Sequence, residues 1–148
     1  MGVWPDQIVP MRGESFLWPN EMELTAHGTL TQGMIVALDW ATGSDGSGAT
    51  TTKAVAAAED EYGPIGVCKH AAASGARVVV VFRSPSVLAT FSAVAVTRGG
   101  KLMSNGTNAN LAAVTTNKRC VAVALESANG NTKRVFFNGV EGLGFKGS

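Results

Sequence analysis

Two stretches of this chain carry the same local pattern, and this repetition constrains the fold more than any other feature. Residues 64–82 read PIGVCKHAAASGARVVVVF, and residues 119–137 read RCVAVALESANGNTKRVFF. In each, a short apolar run leads into a polar turn with a central glycine, Gly75 or Gly130, and a second apolar run follows a basic residue. Small, β-branched and aromatic residues fill the runs, so each copy predicts two strands joined by a hairpin. Two half-buried hairpins are able to cover each other's apolar faces.

The repetition extends upstream of each hairpin. Residues 33–40 are a strand candidate that is apolar on both faces, and residues 33–39 correspond to residues 100–104. Residues 53–58 correspond to residues 111–114. The alanine content of residues 53–58 favours helix, whereas their position before the first hairpin favours strand.

The segments between these units have their own signals. Residues 42–52 are rich in glycine and predict a flexible loop. Residues 84–86, Ser-Pro-Ser, are expected to close the first unit. Residues 87–97 carry no charge, which predicts a buried short helix or strand.

With 148 residues and 18 glycines, the chain suits one domain with a core and many tight turns. We predict an all-β fold of six to ten short strands, with at most one or two short helices. The architecture is a small barrel or two-layer sandwich built from two similar hairpin-containing halves. The predicted parts are an extended N-terminal arm (residues 1–28), a β domain (29–140, with an internal quasi-repeat of 33–84 and 99–139) and a flexible tail (141–148).

The N-terminal arm differs in composition from the rest of the chain. It holds three of the five prolines and two of the three tryptophans. Proline at this density disfavours helix and favours extended backbone. Exposed aromatic rings are unfavourable in water, so the arm should pack against its own domain or against a neighbouring subunit. The candidate anchors are Trp4, Pro5, Ile8, Val9, Met11, Phe16, Leu17 and Trp18.

Charge is divided unevenly along the chain. Residues 1–97 carry a net charge of −4 and residues 98–148 a net charge of +5. This asymmetry suits packing between copies or against a charged partner, and equally suits two oppositely biased solvated faces. The first residues lack the basic and apolar segments of a secretory signal, which predicts a reducing compartment. Cys68 and Cys120 are therefore expected to be small buried hydrophobic residues rather than a disulfide or metal pair.

No set of residues points to catalysis or to a cofactor. Residues 142–147 match the letters of a dinucleotide-binding glycine motif, but no helix or acidic residue follows them. Cys68 and His70 would share one strand face without further ligands nearby in sequence. The basic pairs at 118–119 and 133–134 lack the interleaved aromatic residues that stack bases. We therefore expect no enzyme activity, no cofactor, no metal, no small-molecule substrate, no nucleic acid and no membrane.

The doubled unit resembles the small capsid cement or head-decoration proteins of tailed bacteriophages over residues 30–140. The residues that carry the resemblance are 33–38, 64–67, 71–75, 100–102 and 121–130. Such proteins are compact β domains that trimerise on the outer capsid lattice, often with an N-terminal arm.

The resemblance implies a structural virion protein that binds the outside of an assembled phage capsid. It would be made in the host cytoplasm, form a homotrimer, and stabilise the shell by clamping adjacent major capsid subunits. The alternative is a tail-tube, fibre or carbohydrate-binding β module of a phage particle. In that case Trp4, Trp18 and Trp40 would stack on sugar rings.

Overall fold

The described part of the chain consists of β-strands arranged in two five-stranded structures. In the computed structural model this part comprises residues 19–39, 48–51, 64–105, 109–115 and 117–144. Among these residues no helix is long and apolar enough to cross a membrane. The predicted all-β fold is confirmed. The strands of the described residues are β1 (Glu21–Ala26), β2 (Ile35–Asp39), β3 (Gly48–Thr51), β4 (Ile65–Cys68), β5 (Arg77–Val81), β6 (Arg83–Thr90), β7 (Lys101–Asn105), β8 (Asn110–Ala113), β9 (Ala122–Ala124) and β10 (Thr132–Asn138).

Strands β1 to β5 form a closed barrel, hereafter the first barrel, in the order β1-β3-β2-β4-β5. β1 pairs antiparallel with β5 along five residues, and it closes the barrel by pairing parallel with β3. The alternation in β5 explains its place, because Val78 and Val80 are fully buried while Arg77 lies at the surface. Successive side chains of a strand point to opposite faces, so a run of valines fills the barrel with every second residue.

Strands β6 to β10 form a second sheet in the order β6-β10-β9-β7-β8. Its connectivity repeats that of the first barrel strand for strand, from β6 in the place of β1 to β10 in the place of β5. A single parallel bridge between Phe91 and Leu111 stands where the first barrel has its β1–β3 ladder. β10 alternates cleanly: Val135 and Phe137 are buried, and Arg134 and Phe136 are exposed.

The two predicted hairpins are present. β4 and β5 pair antiparallel in the first barrel, and β9 and β10 do so in the second sheet. Gly75 and Gly130 lie in the connecting turns with φ of +86° and +71°. A residue with a Cβ rarely adopts this left-handed backbone, which is why glycine recurs at the centre of both turns.

β2 and β4 are buried on both faces and join the two structures. Val36 and Leu38 point into the first barrel, in a cluster with Cys68 and Val78 that we call the barrel core. On the opposite side of these strands, a second cluster forms against the inner face of the second sheet, and we call it the shared core. It contains Ile35, Ile65, Val67, Leu102, Leu111, Val135 and Phe137, among others. The continuous apolar character of residues 35–38 reflects this double burial.

Three segments differ from the prediction. Residues 21–26 were assigned to the N-terminal arm, yet they form β1 and place Leu24 and Ala26 in the barrel core. Residues 48–51 were expected in a flexible loop, yet they form β3, because ladders with β1 and β2 on either side outweigh the glycine content. Residues 84–86 were expected to close the first unit, yet they lie inside β6. The prediction of a buried short helix or strand at residues 87–97 holds in part: residues 87–90 belong to β6, but residues 93–95 are exposed.

The start of the predicted flexible tail is tied to the body. The backbone N–H of Leu143 donates to the carbonyl of Cys120 at 2.6 Å, and that of Cys120 donates to the carbonyl of Gly144 at 2.7 Å. These reciprocal bonds attach residues 143–144 to the backbone just before β9, which the glycine-rich sequence did not indicate. The predicted segment at residues 53–58, residues 1–18 of the arm, and residues 145–148 lie outside the described residues.

Candidate interaction surfaces

The residues singled out for metal or catalytic chemistry are not brought together. Cys68 is fully buried in the barrel core, whereas His70 is exposed at the following turn. The His70 ring braces that turn: Nε2 accepts from the backbone N–H of Val79 at 3.2 Å, and Nδ1 lies 3.0 Å from the carbonyl of Ala71. This pair of contacts assigns the ring proton to Nδ1. Among the described residues, no three His, Cys, Asp or Glu side chains form a group that could hold a metal ion.

The cysteines behave as predicted for buried apolar residues. Cys68 and Cys120 are both free and buried. Burial raises the pKa of the Cys68 thiol from its ordinary value of 9.0 to about 12, because the thiolate would lose its hydration inside the barrel. Near neutral pH this thiol is therefore protonated, and it lacks the thiolate that nucleophilic cysteine chemistry needs.

Arg119, which belongs to the basic pair at residues 118–119, is a structural residue. It is only 6% exposed. Its guanidinium donates to the backbone carbonyls of Gly139 at 3.0 Å and Val140 at 2.8 Å. A planar guanidinium suits this role, because it satisfies several carbonyls beyond a strand end at once. Arg119 fixes the chain after β10 and is turned away from a surface partner.

The outer face of the second sheet presents apolar side chains beside basic ones. Phe136 pairs with Val123 across β9 and β10, and Val123 pairs with Lys101 across β9 and β7, so these three lie on one face. Phe136 is 41% exposed, and Leu125, whose backbone N–H bonds to Arg134, is 38% exposed. A half-exposed phenylalanine on a basic sheet face is the kind of surface that protein partners cover.

A bulge in β6 shapes one edge of this face. The pairing of β6 with β10 shifts between Val135 and Phe137, so Pro85 and Ser86 together lie opposite Phe136. Pro85 has no backbone N–H for the ladder, and such a residue is tolerated at bulges. A bulge bends its strand and redirects neighbouring side chains. Here it leaves the Phe136 ring beside an open space instead of against a flat strand.

That open space is a groove of about 190 Å³, which we call the Phe136 groove. It begins at Asn20, the second described residue, whose carbonyl accepts from the backbone N–H groups of Phe82 at 2.7 Å and Arg83 at 3.2 Å. The chain thus enters the body at the junction between β5 and β6. The groove is lined by Asn20, Arg83, Ser84, Pro85, Phe136, Phe137 and Asn138.

A second cleft, of about 300 Å³, lies between the first barrel and the second sheet. Gln32, Lys69 and Arg134 contribute polar groups to it, and Val87 and Leu88 contribute apolar ones. Lys69 also forms an exposed ion pair with Glu21 at 3.5 Å. The cleft therefore combines cationic groups with a modest apolar wall.

All eight candidate anchors of the arm lie outside the described residues, so their contacts stay a prediction. The surface that sequence reasoning missed is the Phe136 groove. Its signal was present in two places: a proline inside the strand-like run 83–90, and adjacent phenylalanines at 136 and 137. Adjacent strand residues face opposite sides, so one of two neighbouring phenylalanines in a half-buried strand must point outward.

The fold is similar to that of a solved phage structure. The structure is described as "The crystal structure of head fiber gp8.5 N base in bacteriophage phi29". The TM-score is 0.58 at 12% sequence identity, and the match covers 84% of this chain and 97% of that chain. At this identity the likeness establishes a common fold. No protein-family model matches the chain, and no curated protein matches its sequence.

Proposed function

We propose that this chain is a non-enzymatic structural protein of a tailed-phage head that binds the outside of the assembled capsid. The observation that carries the proposal is the fold similarity to the base of a phage head fibre, which spans most of both chains. The resemblance of the doubled hairpin unit to capsid cement proteins supports the same assignment. The partner is the major capsid protein, and the protein acts as a homotrimer.

In the proposed mechanism, the body provides a rigid platform and the arm provides the anchors. Large aromatic side chains contribute most of the binding energy at such contacts, and the residues before β1 supply Trp4 together with apolar residues that can pack around it, Ile8, Val9 and Met11. Ligands that bind only the assembled shell stabilise it by mass action, because shell opening must first release them. Bridging two adjacent capsid subunits would make every bound copy a clamp.

The experiment is co-sedimentation of the purified protein with undecorated phage heads. We expect saturable pelleting at a fixed ratio to the capsid subunit. The informative comparison is a variant that lacks residues 1–18. The deletion stops before β1, so the first barrel stays complete. A deletion through residue 24 would instead remove most of β1 together with Leu24 of the barrel core.

We expect the variant that lacks residues 1–18 to retain its far-UV circular dichroism and to lose capsid binding. Undiminished binding by this variant would exclude the arm as the anchor. Absence of pelleting by the intact, folded protein would contradict the proposal itself, and a shift of tryptophan fluorescence with a glycan panel would then support the carbohydrate-binding alternative.

A second candidate, the base of a head fibre, is favoured by the specific structure to which the fold is similar. The two functions differ in their effect on the shell. A cement protein that bridges adjacent subunits must be released when the shell opens, so it raises the temperature at which heads open, whereas a fibre base held by a single capsid subunit stays bound after opening and leaves that temperature unchanged. Heating decorated and undecorated heads, with DNA or dye release as the readout, separates them.

A further inference from the structure

The Phe136 groove lies where the undescribed N-terminal residues join the body. Asn20 lines the groove and is hydrogen-bonded to the start of β6. Two residues of extended chain span at most about 7 Å, so Trp18 is tethered within reach of the groove. Pro19 disfavours helical backbone at the residue before it, which favours an extended approach.

The groove also matches one large aromatic side chain in size and character. Its volume is about 190 Å³, and its apolar walls come from Pro85 and the exposed ring of Phe136. Aromatic pairs in offset or edge-to-face contact gain about 0.5–1.5 kcal/mol beyond the burial of their surface. A proline ring beside the pair adds a flat apolar wall without rotamer entropy to lose.

We propose that Trp18 of the same chain occupies the Phe136 groove and packs against Phe136 and Pro85. The short tether gives Trp18 a high effective concentration at the groove, which no side chain of a second copy shares. This contact fixes the root of the arm on the second sheet. Residues 1–17 are then the part left for a partner, and the inference itself does not depend on what that partner is.

The test uses the full chain in a background in which Trp18 is the only tryptophan, with Trp4→Phe and Trp40→Phe. We expect blue-shifted Trp18 emission and slow acrylamide quenching. Phe136→Ser, which removes the aromatic wall of the groove, should raise the quenching constant several-fold, because the Trp18 ring would lose its packing partner and become accessible to acrylamide. Val94→Ser is the matched control, because Val94 is 67% exposed and does not line the groove.

A second variant, Pro85→Lys, places a charged side chain over the groove and should have the same effect as Phe136→Ser. Circular dichroism identifies variants that fail to fold. Fully exposed Trp18 emission in the parent, or quenching unchanged in both groove variants, would overturn the proposal. Protection that is lost on dilution would also overturn it, because the occupant would then come from a second copy. The fluorescence experiment contains no capsid, so its outcome tests the placement of Trp18 independently of capsid binding, which co-sedimentation tests.

Discussion

The first barrel closes through a parallel ladder between β1 and β3, whereas the second sheet joins its end strands through one parallel bridge between Phe91 and Leu111. The connectivity of the two structures is otherwise the same. The difference follows from which surfaces cover the apolar faces of the first barrel and of the second sheet. The barrel core is enclosed by the barrel's own strands. The second sheet buries its inner face partly against Ile35, Ile65 and Val67, which belong to the first barrel.

This comparison shows how a repeated unit becomes asymmetric. Once β2 and β4 present apolar residues on both faces, the neighbouring copy has a surface to pack on and gains less from complete closure. Backbone hydrogen bonds reinforce the contact: Thr90 donates to the carbonyl of Gly33 at 2.9 Å, and Ile65 donates to that of Gly139 at 3.0 Å. We therefore expect the two halves to unfold as one cooperative unit.

The largest expected effect comes from the cores. Phe137→Ala in the shared core and Phe82→Ala in the barrel core should each lower the free energy of unfolding by about 3–5 kcal/mol, because each removes a fully buried ring and leaves a cavity. Denaturant unfolding followed by circular dichroism and by fluorescence should give coincident single transitions for both variants. Phe136→Ala is the matched control, since its ring is 41% exposed and its loss should cost about 1 kcal/mol. A biphasic transition in either core variant would break the picture of one cooperative unit.

An intermediate effect is expected at the junction. Gly33 and Gly75 have nearly equal φ, +85° and +86°, but a Cβ at Gly33 would lie 2.8 Å from Thr90 Oγ1, whereas nothing lies within 4 Å of one at Gly75. Gly75→Ala should therefore lower the free energy of unfolding by only about 1–2 kcal/mol, which is the penalty for a left-handed backbone at a residue with a Cβ. Gly33→Ala should lower the free energy of unfolding by about 1–3 kcal/mol more than Gly75→Ala, because Thr90 must also move to make room for the new Cβ. Thermal melts of the pair measure the difference, and equal melting temperatures would show that the junction adapts freely.

The smallest effect is expected at the seam between β1 and β5. Glu23 and Arg77 form an ion pair at 2.9 Å, but both side chains are more than half exposed. Glu23→Gln should change the free energy of unfolding by less than about 0.5 kcal/mol, since water and salt screen such pairs. Urea titrations at low and high salt would check this. A large, salt-dependent loss would mean that charge, rather than the backbone ladder and the burial of Leu24, holds β1 against β5.

Several elements were predictable because their signals are local. The valine run of β5 and the alternation in β10 specify strands with one buried face, and the turns at Gly75 and Gly130 specify where those strands reverse. The prediction failed where pairing partners are distant. The local sequence of residues 48–51 predicts a loop, but pairing with β1 and β2 makes them a strand. Pro85 predicts the end of a strand, but pairing with β10 accommodates it in a bulge within β6.

The sequence by itself determined that this chain is an all-β protein with a doubled hairpin unit and buried cysteines. Those features depend on residue period, turn chemistry and hydrophobicity, which act over a few neighbouring residues. Only the tertiary structure decided that one copy closes fully while the other shares a core with it, and that a bulge opens a groove at Asn20 and Phe136. Long-range pairing and packing set those outcomes, because the free energy of burying a face depends on which surface covers it.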